Sequence, residues 1–202
     1  EIAFASVFEP GERNCGIMIA GTGSILYFRN SKSELIRVGG WGRHIGDEGS
    51  GHWIAREALN RVTRFYDGRE KYTALAGLLK KEFCIDSSNI IEEVYHNSLE
   101  ISLITKHVFR AAESGDRISI EIIKKAAVIL ADHFLPINNR NCTIALMGSL
   151  FSKEKLLFKY FSGITKRKFN RIQLIRPELR PVWGAVKIAL ANANLDKNSL
   201  NH

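Results

Sequence analysis

A short glycine-rich turn is the first segment of this 202-residue chain whose residue types suit ligand chemistry. The apolar run Gly16–Ala20 ends in Gly21-Thr22-Gly23-Ser24. Glycines let backbone N–H groups approach phosphate oxygens, and the Thr and Ser hydroxyls add short hydrogen-bond donors. Glycine turns are also common hairpin connections. The turn alone therefore does not distinguish a phosphate site from an ordinary hairpin.

A second glycine-rich segment, residues 39–51, adds side chains that suit a polar ring. Trp41, Asp47 and Glu48 stand among glycines at 39, 40, 42, 46, 49 and 51, which are more glycines than a turn requires. Trp41 offers an apolar face to a sugar, and the two carboxylates offer strong acceptors to hydroxyl groups. The alternatives are core packing for Trp41 and favourable charge before a helix for the carboxylates. Together the two segments favour a polyol pocket beside a nucleotide.

The order of strands and helices predicts one α/β lobe with a mixed sheet. Apolar runs at Gly16–Ala20, Ser24–Arg29 and Leu35–Val38 predict an opening three-stranded meander. Helical periodicity then predicts an inserted helical segment, with helices over 51–66, 72–83, 89–96, 101–112 and 118–135, the first of them capped by Ser50. The remaining elements are a strand over 143–147, a helix over 153–161, a strand over 171–175, a turn over 176–181 and a helix over 182–193. Residues 1–195 form the predicted lobe, and residues 196–202 a frayed tail.

Composition restricts the class of protein further. The chain is 45% hydrophobic and 25% charged, as expected of a globular protein, and no apolar run reaches the ~20 residues of a membrane span. Cys15, Cys84 and Cys142 lack the spacing of a metal site, so we expect no bound metal of that kind and a cytoplasmic location. Much of the net charge of +8 lies between Lys153 and Arg180. Without a nucleic-acid-binding motif, this run predicts a solvated face rather than a nucleic-acid contact.

The two glycine-rich segments also carry a family resemblance. The pattern from Gly16 to Ser24, and the pattern from Gly39 to Leu59, resemble N-acetylglucosamine kinases of the BadF/BadG/BcrA/BcrD ATPase family, within the actin and hexokinase superfamily. The resemblance is dense in these segments and continues thinly to about Ala193. It implies a ribonuclease H-like, actin-like ATPase lobe. It also implies an enzyme that uses ATP and Mg²⁺ to phosphorylate an amino sugar, in the first place N-acetylglucosamine at its 6-hydroxyl.

The resemblance implies roles for individual residues. Contacts with ATP are implied for Gly21, Thr22, Gly23, Ala112, Gly148 and Ser149. Contacts with the sugar are implied for Ser24, Gly40, Trp41, Gly42 and Asp47. Gly184 is implied to let the closing helix pack closely. The only protein partner that we predict is a second copy of the chain, in a homodimer.

The catalytic base is not identified among these residues. The resemblance implies an Asp shortly before the glycine turn and an Asp-Gly-Gly-Thr phosphate loop, but residues 1–20 contain no Asp and the chain contains no such loop. We therefore expect the base upstream of Glu1, and we expect the chain to be the C-terminal part of a kinase and inactive alone. Two alternatives stay open. One is a non-catalytic regulator that binds a sugar or nucleotide, and the other is an ATPase activator of a 2-hydroxyacyl-CoA dehydratase.

Overall fold

A five-stranded mixed sheet forms the centre of the fold. The computed structural model describes residues 2–96, 99–177 and 182–199. The strands are β1 (Cys15–Ala20), β2 (Ser24–Arg29), β3 (Leu35–Gly39), β4 (Cys142–Met147) and β5 (Ile172–Ile175). Their order in the sheet is β3-β2-β1-β4-β5, with antiparallel pairing among the first three and parallel pairing of β4 with β1 and β5. The predicted meander and mixed sheet are confirmed.

Helices connect and cover the strands. They are α1 (Ile2–Ala5), α2 (Gly51–Tyr66), α3 (Ala74–Phe83), α4 (Ile90–Tyr95), α5 (Thr105–Glu113), α6 (Arg117–Asp132), α7 (Ser149–Lys153), α8 (Lys155–Lys168) and α9 (Val182–Ser199). The inserted helical segment between β3 and β4 is confirmed. Helix α2 has its predicted bounds and its predicted cap, since the Ser50 hydroxyl accepts a hydrogen bond from the Trp53 amide at 3.2 Å. Within the described ranges, none of the helices is long and apolar enough to cross a membrane.

Several predicted helix boundaries were wrong. The helix predicted over 101–112 is a 3-10 turn, Ile101–Ile104, followed by α5, and the helix predicted over 118–135 ends at Asp132 before a second 3-10 turn, Leu135–Ile137. The helix predicted over 153–161 is replaced by α7 and α8, which meet at Glu154. Helix α8 extends to Lys168 because Phe161 and Thr165 continue a buried stripe at a spacing of four residues.

The end of the chain is described only in part. Helix α9 continues past the predicted end at Ala193 to Ser199. Residues 178–181 of the predicted turn and residues 200–202 of the predicted tail lie outside the described residues.

The two faces of the sheet are covered differently. Met18, Leu26 and Phe28 are completely buried in the main core, against apolar side chains of the inserted helices and α8. The opposite face carries a smaller apolar cluster and is covered by α1, on which α9 packs. A Cβ atom on Gly184 would lie 2.8 Å from the Ser6 amide nitrogen, so the implied close packing of α9 at this glycine is confirmed.

Asp116 joins the starts of two helices in the inserted segment. Its carboxylate accepts hydrogen bonds from the Ser119 amide at 2.9 Å, the Ala74 amide at 2.8 Å and the Thr73 hydroxyl at 3.0 Å. Burial alone would raise the pKa of Asp116, but the hydrogen bonds from Ala74, Ser119 and Thr73 outweigh it, and the pKa is lowered. The stabilising contribution of Asp116 is therefore present above its ordinary pKa of 3.8 and is lost as the pH falls through the lower folded value.

Replacing Asp116 tests this junction. We expect Asp116→Ala to lower the free energy of unfolding by about 2 kcal/mol, because the amides of Ala74 and Ser119 both lose their acceptor. Urea unfolding at pH 7 measures the change. Asp67→Ala is the matched control, since the Asp67–Arg69 pair is exposed and such pairs contribute little. Equal effects of the two substitutions would contradict the role given to Asp116.

Candidate functional site

The sheet topology brings two glycine-containing segments to one edge. Strands β1 and β4 are parallel neighbours, paired from Cys15–Thr143 to Ile19–Met147, so their carboxyl ends lie side by side. The Gly21–Ser24 turn follows β1, and Gly148-Ser149 follows β4. Ligands of open α/β sheets bind in crevices at this edge. Five of the six residues with an implied ATP contact therefore lie at one place in the fold.

Close backbone approach at this edge depends on glycine. Gly148 has a φ of +97°, and a Cβ atom on it would overlap the Ala20 carbonyl group. The Ser149 hydroxyl oxygen lies 3.7 Å from the position that a Cβ atom would take on Gly21. Any side chain other than hydrogen at Gly148 would therefore separate the ends of β1 and β4.

The glycine turn is docked on the start of α2. The Gly51 amide donates to the Gly21 carbonyl at 2.7 Å, and the His52 amide donates to the Thr22 carbonyl at 3.1 Å. The first amides of α2 are thus occupied by the turn and by the Ser50 cap. Within the described residues, the amides of Thr22 and Gly23 have no hydrogen-bond partner. These two N–H groups, with the exposed Thr22 side chain, are the donors that the turn can offer to a phosphate.

Asp47 lies directly against the glycine turn. Its backbone adopts a φ of +56°, and its carboxylate accepts a long hydrogen bond from the Ser24 amide at 3.4 Å. Both Asp47 carboxylate oxygens lie 3.0 Å from the position of a Cβ atom on Gly23. The structure thus brings the predicted phosphate segment and the predicted sugar segment into contact, and glycine at position 23 leaves room for the carboxylate.

Ser24 connects the same two segments from inside the protein. The residue is 2% exposed, and its hydroxyl donates to the Glu48 carbonyl at 2.8 Å. The hydroxyl hydrogen is therefore used within the protein, where it holds the loop of residues 39–50 against the turn. The contact of Ser24 with a sugar stays a prediction.

Trp41 stands outside the core. Its side chain is 63% exposed, and the Arg37 guanidinium lies over its ring at 4.2 Å from the centroid. The alternative of a core aromatic is therefore wrong. Gly46 packs against the tryptophan, because a Cβ atom there would lie 2.8 Å from the Trp41 Cβ atom. Gly46 thus contacts the Trp41 backbone and Cβ atom, and the exposed indole can present its apolar surface to a sugar ring.

Ala112 lies in a different setting from the other predicted ATP contacts. It is 5% exposed near the end of α5 and belongs to the main core. The opposite end of α5 approaches the glycine turn, since the Thr105 hydroxyl donates to the Gly51 carbonyl at 2.7 Å. Sequence reasoning missed Thr105, because nothing in the local pattern distinguishes a hydroxyl that bonds across the fold from one that faces solvent.

A cleft of about 690 Å³ lies beside this site, between α2 and the segment that includes α4 and the first 3-10 turn. Arg43, His44, His52 and Arg56 line one side of it. Burial, Arg56 and Arg43 lower the pKa of His52, while Glu100 and Asp47 act in the opposite direction. Sequence reasoning assigned no role to this group, since its members come together only when the loop folds over α2.

Together, the strand order and the turn docked on α2 define a ribonuclease H-like lobe of the actin-like ATPase class. The model of the BadF/BadG/BcrA/BcrD ATPase family matches residues 5–189. The chain belongs to this family, and the resemblance read from its glycine-rich segments is confirmed.

Two curated relatives are similar in sequence. The chain is 31% identical over 199 residues to an N-acetylmuramic acid/N-acetylglucosamine kinase of Clostridium acetobutylicum. This alignment covers 94% of this chain and 64% of that protein. The chain is also 31% identical over 157 residues to an N-acetyl-D-glucosamine kinase of Dictyostelium discoideum, in an alignment that covers 75% of this chain and 47% of that protein. The chain thus spans roughly half to two thirds of the length of these relatives.

A solved structure supports the fold. The crystal structure of a candidate N-acetylglucosamine kinase from Chromobacterium violaceum superposes with a TM-score of 0.67 at 23% identity, over 84% of this chain and 57% of that chain. At this identity the likeness shows the fold, and the predicted ribonuclease H-like lobe is confirmed.

The buried hydroxyl of Ser24 gives a test of the site architecture. We expect Ser24→Ala to lower the free energy of unfolding by about 1 kcal/mol, because the Glu48 carbonyl loses its hydrogen-bond donor. We also expect faster amide hydrogen exchange in residues 47–50, measured by mass spectrometry. Ser162→Ala is the control, since that hydroxyl only bonds to the Lys159 carbonyl of its own helix at 3.3 Å. Unchanged exchange in residues 47–50 would contradict the role of Ser24 as the connection.

Proposed function

We propose that this chain forms the nucleotide- and sugar-binding lobe of an ATP-dependent kinase that phosphorylates an amino sugar, in the first place N-acetylglucosamine at its 6-hydroxyl. The observation that carries the proposal is the contact between the glycine turn and Asp47. One segment offers free amides suited to phosphate, and the other offers a carboxylate suited to hydroxyl groups. The family and the names of the two curated relatives support the same activity.

The ATP side of the proposal combines the two sheet-edge segments. The free amides of Thr22 and Gly23 would bind phosphate oxygens, Gly21 would lie against the phosphates within the same turn, and Gly148 with Ser149 would lie beside the rest of the nucleotide. Ala112 remains a proposed contact on the nucleotide side, although its side chain is buried. In the described residues no group of three His, Cys, Asp or Glu side chains could hold a metal ion. Mg²⁺ would enter with ATP and be bound by its phosphates, by water and by one or two carboxylates, as is usual for this ion in phosphoryl transfer, and no residue of this chain is assigned to it.

The sugar side of the proposal lies on the loop of residues 39–50. Asp47 would accept hydrogen bonds from sugar hydroxyl groups, and Trp41 would pack against the ring. Gly40 and Gly42 would let the backbone come close, and Ser24 would complete the pocket floor. Phosphoryl transfer then forms a bond between the sugar oxygen and the γ-phosphorus and breaks the bond to the β-phosphate oxygen, releasing ADP. The base that accepts the hydroxyl proton is not assigned to any of these residues.

The proposal also covers the domain organisation, the cellular location and the assembly of the enzyme. Residues 1–195 act as one lobe, the enzyme works in the cytoplasm, and its assembly is a homodimer. Size-exclusion chromatography with light scattering distinguishes the homodimer from a monomer.

Asp47→Ala tests the proposed function. In the protein encoded by the complete reading frame, coupled ADP release should show N-acetylglucosamine turnover, and the substitution should lower kcat/KM by at least ~10-fold, the scale of one lost charged hydrogen bond. Asp67→Ala, an exposed carboxylate after α2, should leave kcat/KM unchanged. Turnover in the Asp47 variant within about twofold of the wild type would remove Asp47 from the sugar site. Absence of ADP release with any amino sugar would reject the kinase.

A further inference from the structure

The cleft beside the sugar segment has two chemically different walls. Arg43, His52 and Arg56 form a basic wall, whereas Ile91, Val94 and Leu99 form an apolar wall. The volume of about 690 Å³ is in the range of small-molecule sites. A ligand that fits both walls carries an anionic group next to a short apolar part.

The arginines of the basic wall form no ion pair with a carboxylate in the part of the chain that the structure describes. Among the described residues, no carboxylate lies within 4.0 Å of the guanidinium of Arg43 or Arg56. Arg61, further along α2, instead pairs with Glu70 at 2.7 Å. Glu100 lines the cleft and acts electrostatically on Arg43 and His52, but its carboxylate accepts hydrogen bonds from the Ser102 hydroxyl at 2.7 Å and the Ser102 amide at 3.4 Å and forms no ion pair with either arginine. The two arginines therefore remain available to an anion, for which the planar guanidinium is a strong partner.

The cleft opens next to the proposed sugar ligand. Arg43 follows Trp41-Gly42 directly in the loop, and the His52 amide is bonded to the Thr22 carbonyl at 3.1 Å. The Asp47 carboxylate is close enough to act electrostatically on the His52 ring. A sugar bound to Asp47 would therefore have the basic wall within reach of one of its substituents.

We propose that Arg43 and Arg56 are specificity-determining residues that bind a carboxylate carried on a short alkyl substituent of the amino sugar. This inference rests on the proposed function and deepens it. The carboxylate pairs with the guanidinium groups, and the alkyl part lies against Val94 and Leu99. A neutral amino sugar binds through Asp47, Trp41 and the other proposed sugar contacts and leaves both arginines in water.

The test compares two sugars that differ in this substituent. N-acetylmuramate carries a lactyl ether with a carboxylate, and N-acetylglucosamine does not. The KM of each sugar is measured by coupled ADP release in the protein encoded by the complete reading frame, and the ratio of the two KM values is the readout. We expect Arg43→Gln and Arg56→Gln each to raise the ratio of N-acetylmuramate KM to N-acetylglucosamine KM about tenfold, the scale of one charge-assisted hydrogen bond.

The control is Arg167→Gln, an exposed arginine on α8 that bonds to the Gly163 carbonyl of its own helix at 3.3 Å. It should leave the KM ratio unchanged. If N-acetylglucosamine is phosphorylated but the ratio in both cleft variants stays within about twofold of the wild type, the assignment of the cleft is overturned. If neither sugar is phosphorylated, the result differs, because it overturns the proposed function itself.

A further experiment distinguishes binding of a carboxylate attached to the sugar from binding of a free anion. Inorganic phosphate and D-lactate are added to the N-acetylglucosamine reaction. We expect no inhibition at concentrations near the KM of N-acetylmuramate, because neither anion is tethered to the sugar ring. Inhibition that Arg56→Gln abolishes would assign the cleft to a free anion and overturn the proposal.

Discussion

The docking of the Gly21–Ser24 turn on the start of α2 is the constraint on which the rest of the site depends. The hydrogen bond from the Gly51 amide to the Gly21 carbonyl, at 2.7 Å, joins the carboxyl edge of the sheet to the first inserted helix. Thr105 adds α5 to the same point through its bond to the Gly51 carbonyl. Because these bonds are short and lie at element ends, they fix the turn relative to three elements at once.

The loop of residues 39–50 is held by its backbone and by one buried hydroxyl rather than by a hydrophobic core. Trp41 and Ile45 are exposed, whereas Gly46, Gly49 and Ser50 are buried. The left-handed conformation of Asp47 aims its carboxylate back at Gly23, and such a conformation costs a non-glycine residue free energy. Strain of this kind persists where surrounding contacts fix the backbone, and here the Ser24 hydroxyl and the Ser50 amide on the Asp47 carbonyl supply them.

Local signals predicted much of the fold and part of the site. The meander and α2 followed from apolar spacing, glycine punctuation and the Ser50 cap, all of which are written within a few residues of the element they define. The division of the helix predicted over 101–112 could not be read this way, because Thr105 begins α5 with a hydrogen bond to a residue 54 positions earlier. The same limit applies to the site. Residue types pointed to Asp47, but the basic wall of Arg43 and Arg56 exists only after a loop and a helix meet.

The hydrogen bonds at the start of α2 explain why we propose the glycine-rich segment, rather than the helix that follows it, as the anion-binding element. A helix start commonly offers free N–H groups to phosphate. In α2 these groups are already occupied by the Gly21 and Thr22 carbonyls and the Ser50 hydroxyl. The same segment leaves its own amides at Thr22 and Gly23 without a hydrogen-bond partner among the described residues. The turn thus moves the donors from the helix to the sheet edge, where Gly148 and Asp47 flank them, so a phosphate and a sugar hydroxyl can be held on either side of a single glycine.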